Sequence, residues 1–321
     1  MFGLGLSISS EDSSTNGITL LVSALGARLA DDGGTIENPS CMQQDLADLV
    51  AEATPFTTGL LEFYPNAAAA YSLRQLRRSV FPYAIRVRRS GDSLEQDIGF
   101  NSNGELDTNA LLDFADGGDA FVSVWYDQSS NGNDATQGTD DYQPQIVSSG
   151  SLITENGKPA IQGDGTNGKH LTTSNTTLSG DLAVVAVCAF NTSKLNAMIF
   201  GGTQPASRSY LWRQTTTTLN WKNDSENGFN YFTVSLLAAN NLIFGNRAGT
   251  DVSMSVNGSN NTLTESATQG LDFTINRIGG GFSDGYSLDG TYQEMIFYNS
   301  DQSANRTGIE SNINDFYSIY P

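Results

Sequence analysis

A stretch of alternating aromatic and polar residues between positions 209 and 231 has the chemistry of a sugar-binding surface. Sugar rings stack their apolar faces on aromatic rings, and their hydroxyls bond to amide, carboxylate and guanidinium groups. Tyr210 and Trp212 are two residues apart, so on a β-strand their rings lie on the same face. The alternative for each of these aromatic residues is that it packs in the hydrophobic core and contacts no ligand. We predict six ligand-binding residues here: Tyr210, Trp212, Arg213, Trp221, Asn223 and Asp224.

Carboxylates are too numerous for the sequence to identify a catalytic pair. Hydrolysis of a glycosidic bond needs two carboxylates about 5–10 Å apart on opposite sides of a sugar, and the chain has 35 acidic residues. Asp127 follows a strand-like run and precedes a Ser/Asn/Gly turn, which is typical of a carboxylate that accepts backbone N–H bonds. Serine-nucleophile, P-loop, dinucleotide and Cys/His zinc signatures are absent from the sequence. We therefore predict no catalytic residue and no enzymatic activity, with glycoside hydrolysis as the alternative.

Six of the sixteen lysines and arginines lie between positions 74 and 89. Such a cluster could bind an anionic sugar or a phosphate. However, AIRVRR is followed by a Ser-Gly-Asp turn and by SLEQDIGF, which predicts a hairpin that places Glu95 and Asp97 across from Arg86 and Arg88. We favour internal cross-strand ion pairs over an anion site.

Residues that commonly bind metals or form disulfides are sparse. Cys41 and Cys188 lie in different predicted segments, so we expect two unpaired thiols. His170 is the only histidine and cannot form a histidine-rich zinc site, which favours a structural role. The segments GDGTNGKH and SDGYSLDG contain oxygen ligands that suit calcium but lack the full spacing of a known calcium loop. We predict no cofactor and no metal, with calcium as the alternative.

The composition is typical of an all-β protein with many turns, because the chain has 33 glycines, 10% aromatic residues and only 16% charged residues. The run LAVVAVCAF is apolar at every position, which predicts a central strand covered on both faces. The sequence DVSMSVNGSNNTLT predicts a hairpin that turns at Asn257-Gly258. Period-2 alternation predicts strands at Ala84–Arg88, Glu95–Phe100, Phe121–Asp127, Leu182–Phe190, Ser209–Gln214, Tyr231–Leu237, Asn241–Gly245, Asp251–Val256, Thr274–Ile278 and Tyr292–Asn299.

Residues 1–62 differ from the rest of the chain, since they contain nine acidic residues and a single base, Arg28. Apolar spacing predicts a helix over Ile18–Leu29, and Ser40 is a suitable N-cap for a second helix with the sequence CMQQDLADLVAEA. We predict two domains, an acidic and partly helical attachment segment at 1–62 and a β-sandwich at 63–321. We give equal weight to two roles for these helices: packing on the sandwich, and docking to a larger particle.

The segment FVSVWYDQSSNGNDATQ, at 121–137, and its neighbours together resemble a known family. They are similar to the concanavalin-A-like and laminin-G-like jelly-roll domains of bacteriophage tail and fibre proteins, and more distantly to the catalytic domain of arabinofuranosidase-B-type glycosidases. The closing segment 290–320 resembles the strand, loop and C-terminal helix with which such sandwiches end. The resemblance covers roughly residues 64–321 and implies a concanavalin-A-like antiparallel β-sandwich. The neighbouring segments are AYSLRQLRR, AIRVRRSGDSLEQDIGF, LDTNALLDF, QPQIV and NGKPAIQGDGTNGKHLT.

The resemblance implies a role on a virus particle more strongly than a role in hydrolysis. Proteins of this kind are tail appendages that are often trimeric, so we expect a homo-oligomer attached to other virion proteins through residues 1–62. The Tyr-Asp-Gln-Ser turn is shared with the arabinofuranosidases. Their nucleophile segment and their pair of adjacent cysteines have no counterpart in this sequence, and Glu226 in DSENG is only a superficial match.

The formal net charge of −19 argues against a nucleic-acid binder or an anionic-membrane binder, since both need a positive surface. The sequence has no apolar run long enough to cross a bilayer, and its start lacks the features of a secretory signal. We predict a bacteriophage virion protein, made in the host cytoplasm, that adheres to host-surface glycan or assembles an appendage. The alternatives are a glycan depolymerase and a purely structural capsid decoration or collar protein.

Overall fold

The structure is a computed structural model that describes residues 59–78, 81–166, 168–191, 195–202, 209–222, 229–264, 272–281 and 284–321. The predicted helices at 18–29 and 41–53, and Cys41, lie outside these ranges. The described helices are α1 (Leu60–Phe63), α2 (Thr108–Ala115) and α3 (Arg306–Tyr317), with 3-10 turns at Asp140–Tyr142 and Asp284–Tyr286. The described strands are β1 (Ala67–Ser72), β2 (Tyr83–Arg89), β3 (Glu95–Gly99), β4 (Ala120–Trp125), β5 (Ala135–Thr136), β6 (Gln145–Ser148), β7 (Ser151–Leu152), β8 (Thr154–Glu155), β9 (Lys158–Pro159), β10 (Ile161–Asp164), β11 (Leu171–Leu178), β12 (Leu182–Phe190), β13 (Ala197–Gly201), β14 (Tyr210–Thr215), β15 (Thr218–Lys222), β16 (Phe229–Thr233), β17 (Asn241–Ala248), β18 (Asp251–Val256), β19 (Ser259–Thr264), β20 (Phe273–Ile278) and β21 (Asp289–Tyr298).

The strands form two antiparallel layers. The first layer has the order β1-β21-β12-β17-β18-β19. The second layer has the order β3-β2-β4-β5-β11-β20-β13-β14-β15-β16. The two are connected on one side, because β6 pairs with β4 and with β10, and β10 pairs with β21. This arrangement confirms the predicted all-β antiparallel sandwich, and α3 is the C-terminal helix that the resemblance implied.

The central strand β12 is buried at all nine positions, as its sequence predicts. Val184, Ala186 and Cys188 face the core between the layers. Val185 and Val187 face the opposite side, where apolar residues of α1 and α3 cover them. Cys188 is a free thiol, and burial raises its pKa. The first layer is therefore covered on both faces, by the second layer and by helices.

The predicted hairpin at Asn257-Gly258 is confirmed. Strands β18 and β19 pair in register, and Val256 lies opposite Ser259. Asn257 and Gly258 both have positive φ, at 52° and 78°, which is the conformation that a two-residue type I′ turn requires.

Asp127 lies in the turn after β4 and accepts four hydrogen bonds. Its Oδ1 accepts from the backbone N–H groups of Ala70 and Ser129, both at 2.8 Å, and its Oδ2 accepts from Asn133 N at 3.0 Å and Ser129 Oγ at 2.8 Å. The next residue, Gln128, accepts from Leu76 N at 2.7 Å. These bonds confirm the predicted turn carboxylate and attach the end of β4 to the chain around β1.

The prediction of cross-strand ion pairs is half right. Arg86 lies opposite Asp97 and makes two bonds to it, at 2.7 and 3.0 Å, which hold the pKa of Asp97 below its usual value despite partial burial. Arg88 lies opposite Glu95 in the backbone register, but its buried guanidinium bonds to Gln143 Oε1 at 2.7 Å instead. The pair with Glu95 is wrong because Gln143 and Asp140, whose Oδ1 lies 3.4 Å from Arg88 Nε, take the guanidinium, and Glu95 stays exposed.

Candidate functional site

The hairpin of β14 and β15 carries most of the predicted ligand-binding residues. Tyr210 lies opposite Lys222, and Trp212 lies opposite Asn220. Because side chains alternate along a strand, these four residues share one face of the hairpin, which we call the aromatic face together with Tyr286. The residues between them point to the core.

Tyr210 and Trp212 lie on the same face, as their spacing predicts, and their rings are stacked. Their centroids are 5.4 Å apart with an interplanar angle of 28°. Tyr286, from the second 3-10 turn, lies 6.3 Å from Trp212 with an angle of 31°. Trp212 and Tyr286 are half-buried, whereas Tyr210 is buried. The three rings therefore form a nearly parallel series, in which the Trp212 and Tyr286 rings are partly exposed and the Tyr210 ring lies beneath the surface.

Unpaired polar atoms lie beside these rings. Asn220 is fully buried, and within the described ranges neither its side-chain oxygen nor its nitrogen has a hydrogen-bond partner. The buried Trp212 Nε1, on the opposite strand, also has none there. A buried polar group without a partner costs free energy, so a bond from a water or a ligand hydroxyl to these atoms would lower the free energy of the protein. Together they offer two donors and one acceptor, which is the chemistry that sugar hydroxyls require.

Arg213 was predicted to bind the ligand, and the structure corrects this prediction because Arg213 does not lie on the aromatic face. Its side chain is buried and donates to Asn191 O at 2.8 Å and to Thr215 O at 3.3 Å. The guanidinium also lies 5.3 Å from the Phe190 ring centroid, and burial lowers its pKa. Arg213 follows Trp212 in the strand and therefore points to the other side, where it connects β14 to the end of β12.

Trp221 is a core residue, which corrects the prediction that it contacts a ligand. It is fully buried, and its ring lies 5.3 Å from the Phe273 ring. It lies opposite Leu211, on the face that turns away from Trp212. The alternative that the sequence left open, packing in the core, therefore holds for Trp221. Asn223 and Asp224 lie outside the described residues and stay predictions.

Three residues of the aromatic face were not among the predicted ligand-binding residues: Asn220, Lys222 and Tyr286. The register of the hairpin was the missing signal for the first two, because the turn after Thr215 fixes which residues of β15 face Trp212. The Lys222 ammonium lies 6.0 Å from the Tyr210 ring centroid. Tyr286 comes from a distant segment, so no local pattern could have placed it there.

In the segment GDGTNGKH, which the sequence offered as an alternative calcium site, the Asp164 carboxylate is bonded to groups of the protein itself. Asp164 accepts from Lys169 Nζ at 2.8 Å and from Thr166 N at 2.9 Å. Burial raises the pKa of Asp164, but these bonds outweigh burial and lower it overall. Across the described ranges, no group of three or more His, Cys, Asp and Glu residues could hold a metal ion.

In the same part of the chain, no helix has the length and apolarity to cross a membrane.

Comparison with known proteins supports the fold. No family model matches this chain, and no curated protein does. A GH54 α-L-arabinofuranosidase soaked with a cyclic sulfate inhibitor is similar over 77% of this chain, with 19% identity and a TM-score of 0.60. An arabinofuranosidase complexed with arabinofuranosyl-α-1,2-xylobiose is similar over the same share, with 17% identity and a TM-score of 0.60. This chain spans 62% of the length of each of them. At these identities the similarity shows a shared β-sandwich fold.

The packing of Trp221 can be tested at Gly245, where an added Cβ would overlap the Trp221 ring. We expect Gly245→Ala to lower the free energy of unfolding by about 3 kcal/mol, because the buried ring cannot move aside. Urea unfolding followed by tryptophan fluorescence measures the change. The matched control is Gly91→Ala, where nothing lies within 4 Å of the new methyl group, and we expect a change below about 0.5 kcal/mol. Equal stability of the two variants would contradict the core position of Trp221.

Proposed function

We propose that this chain is a carbohydrate-binding β-sandwich that contacts a glycan through the aromatic face. The observation that carries this proposal is the stack of Tyr210, Trp212 and Tyr286 beside polar atoms of Trp212 and Asn220 that have no hydrogen-bond partner among the described residues. Aromatic rings supply the surface for the C–H face of a sugar, and the amide and indole groups supply bonds to its hydroxyls.

Two features favour adhesion as the purpose of this binding. Asp127, in the turn that the sequence shares with the arabinofuranosidases, is saturated by backbone and side-chain donors, so it serves the fold. Sugar binding also needs fewer groups than hydrolysis does, and the aromatic face already offers stacking surface, donors and an acceptor. We therefore propose reversible contact with a glycan and no cleavage of it.

The proposal places the sandwich on a bacteriophage particle, as a homo-oligomeric appendage that is attached through the acidic N-terminal segment and contacts host-surface glycan. Its support is the resemblance of residues 64–321 to tail and fibre domains, and the net charge of −19, which suits a soluble exposed protein. A structural capsid or collar protein, which binds copies of itself instead of glycan, is the competing role on the particle.

Hydrolysis is the second candidate function, and one observation favours it. The fold is shared with arabinofuranosidases at a TM-score of about 0.60. Because the same sandwich carries both binding modules and enzymes, the fold alone does not choose between them.

The aromatic face can be tested by Trp212→Ala. We expect binding of the full chain to its best glycan on an array to weaken about ten-fold, because one lost stacking contact corresponds to about 1.4 kcal/mol. The matched control is Tyr83→Ala, which removes an aromatic side chain that is 44% exposed on β2. We expect no change in glycan binding for the control. Equal binding by both variants, at unchanged stability, would overturn the role of the aromatic face.

Hydrolysis can be tested with 4-nitrophenyl α-L-arabinofuranoside and with arabinoxylan. We expect no release of nitrophenol or reducing sugar above that of heat-denatured protein, because the proposed function is binding without cleavage. Release that depends on intact protein and follows saturation kinetics would replace adhesion by hydrolysis as the proposed function.

Attachment to a particle can be tested by deletion of residues 1–58, which leaves Leu60 and Leu61 in place because they are buried against the first layer. We expect the shortened chain to remain folded by circular dichroism and to be lost from purified particles. The full chain carrying Tyr83→Ala is the control and should be incorporated normally. Normal incorporation of the shortened chain would contradict the proposed attachment segment.

A further inference from the structure

A cavity of about 210 Å³ lies between α3, the β8–β9 hairpin and the segment 101–108. It shares no residue with the aromatic face. Its polar wall contains Asn101, Glu105, Thr108 and Lys158, and its apolar wall includes Leu152 and Phe316. Polar and apolar side chains therefore line the same small space.

The polar wall is an ion pair at the rim. Lys158 Nζ lies 2.5 Å from Glu105 Oε1, and the two side chains are 30% and 37% exposed. A ligand can therefore reach both from solvent. The same ammonium lies 4.2 Å from the centroid of the half-buried Phe316 ring, so the charged pair and the ring face one another.

The walls of the cavity are held by bonds that do not depend on a ligand. Asn156 Nδ2 donates to Tyr317 O at 2.6 Å and to Ser318 O at 2.7 Å, which joins the β8–β9 hairpin to the end of α3. Asn101 Oδ1 accepts from Asn103 N and Glu105 N, which shapes the opposite loop. A site that is already formed loses little conformational entropy when a ligand binds.

The electrostatics of the wall favour a neutral ligand. An anionic ligand would compete with Glu105 for Lys158, in a chain whose net charge is −19. A cationic ligand would compete with Lys158 for Glu105 and would lie beside a second cation. A neutral hydroxyl can accept a bond from Lys158 and donate one to Glu105 while the ion pair stays closed.

We propose that this cavity binds a single neutral sugar ring, as a second carbohydrate site separate from the aromatic face. Drug-sized ligands occupy pockets of roughly 300–1,000 Å³, so a cavity of about 210 Å³ suits one monosaccharide unit. The hydroxyls of the ring contact Lys158, Glu105, Thr108 and Asn101. Its apolar face packs on Leu152, since the Lys158 ammonium already lies over the Phe316 ring. The unit is either a free sugar or the end of a glycan chain.

The test is titration of the full chain with the methyl glycosides of glucose, galactose, mannose and arabinofuranose, by calorimetry and saturation-transfer NMR. We expect at least one of them to bind, and glucuronate to bind at least ten-fold more weakly than the best neutral glycoside. An oligosaccharide that ends in the same unit is titrated in parallel. Binding of both identifies a chain end as the ligand, binding of the glycoside alone identifies a free sugar, and either result supports the proposal.

Variants assign the binding to this cavity. We expect Lys158→Met and Glu105→Gln each to weaken binding of the best glycoside about ten-fold. Leu152→Phe keeps the ion pair but fills the space, and should abolish binding at unchanged melting temperature. Trp212→Ala is the control and should leave this binding intact, so failure of the aromatic face and failure of the cavity are distinguishable. The proposal is overturned if no neutral glycoside binds, or if folded Lys158→Met and Leu152→Phe bind as the unaltered chain does.

Discussion

Burial of the first layer on both faces is the constraint on which the rest of the architecture depends. β12 lies between β17 and β21 and has no exposed residue, so apolar surface must cover it from two sides. The second layer covers one side, and α1 and α3 cover the other. The C-terminal helix is thus part of the core, and burial of its residues Ile309, Ile313 and Tyr317 removes apolar surface from water.

One buried ion pair fixes where α3 lies. Glu294, on β21, is fully buried and accepts from Arg74 Nε at 2.7 Å and Nη2 at 3.0 Å, while Arg74 Nη1 donates to Asn312 Oδ1 at 3.0 Å. A buried pair of this kind adds little net stability, but loss of one partner would leave a buried charge. Arg74 also lies 5.1 Å from the Phe316 ring centroid. The pair therefore connects β21 to α3 and places the ring that forms one wall of the cavity.

The alternation of apolar and polar residues, together with turn residues, predicted the parts of the fold that depend on a single strand or a single turn. The β12 strand, the Asn257-Gly258 hairpin and the Asp127 turn each follow from residues that are close in sequence. By contrast, β1 and β11 were missed, because AAAAYS contains few strand-forming residues and LTTSNTTL has an irregular alternation. Their strand conformation comes from pairing with β21 and β20, which are more than 90 residues away in sequence. Long-range pairing thus overrides local propensity at these two strands.

The same distinction separates the two proposed carbohydrate sites. The aromatic face is carried mainly by one hairpin, so the spacing of Tyr210 and Trp212 was enough to indicate it, and only the register was needed to exclude Trp221. The cavity is formed by Leu73 and by three segments around positions 101–108, 152–159 and 316–317. No spacing rule relates Glu105 to Lys158, since the segment 101–108 and the β8–β9 hairpin are brought together only by the tertiary structure. A site of this second kind becomes visible only when the tertiary structure shows which polar groups face one another.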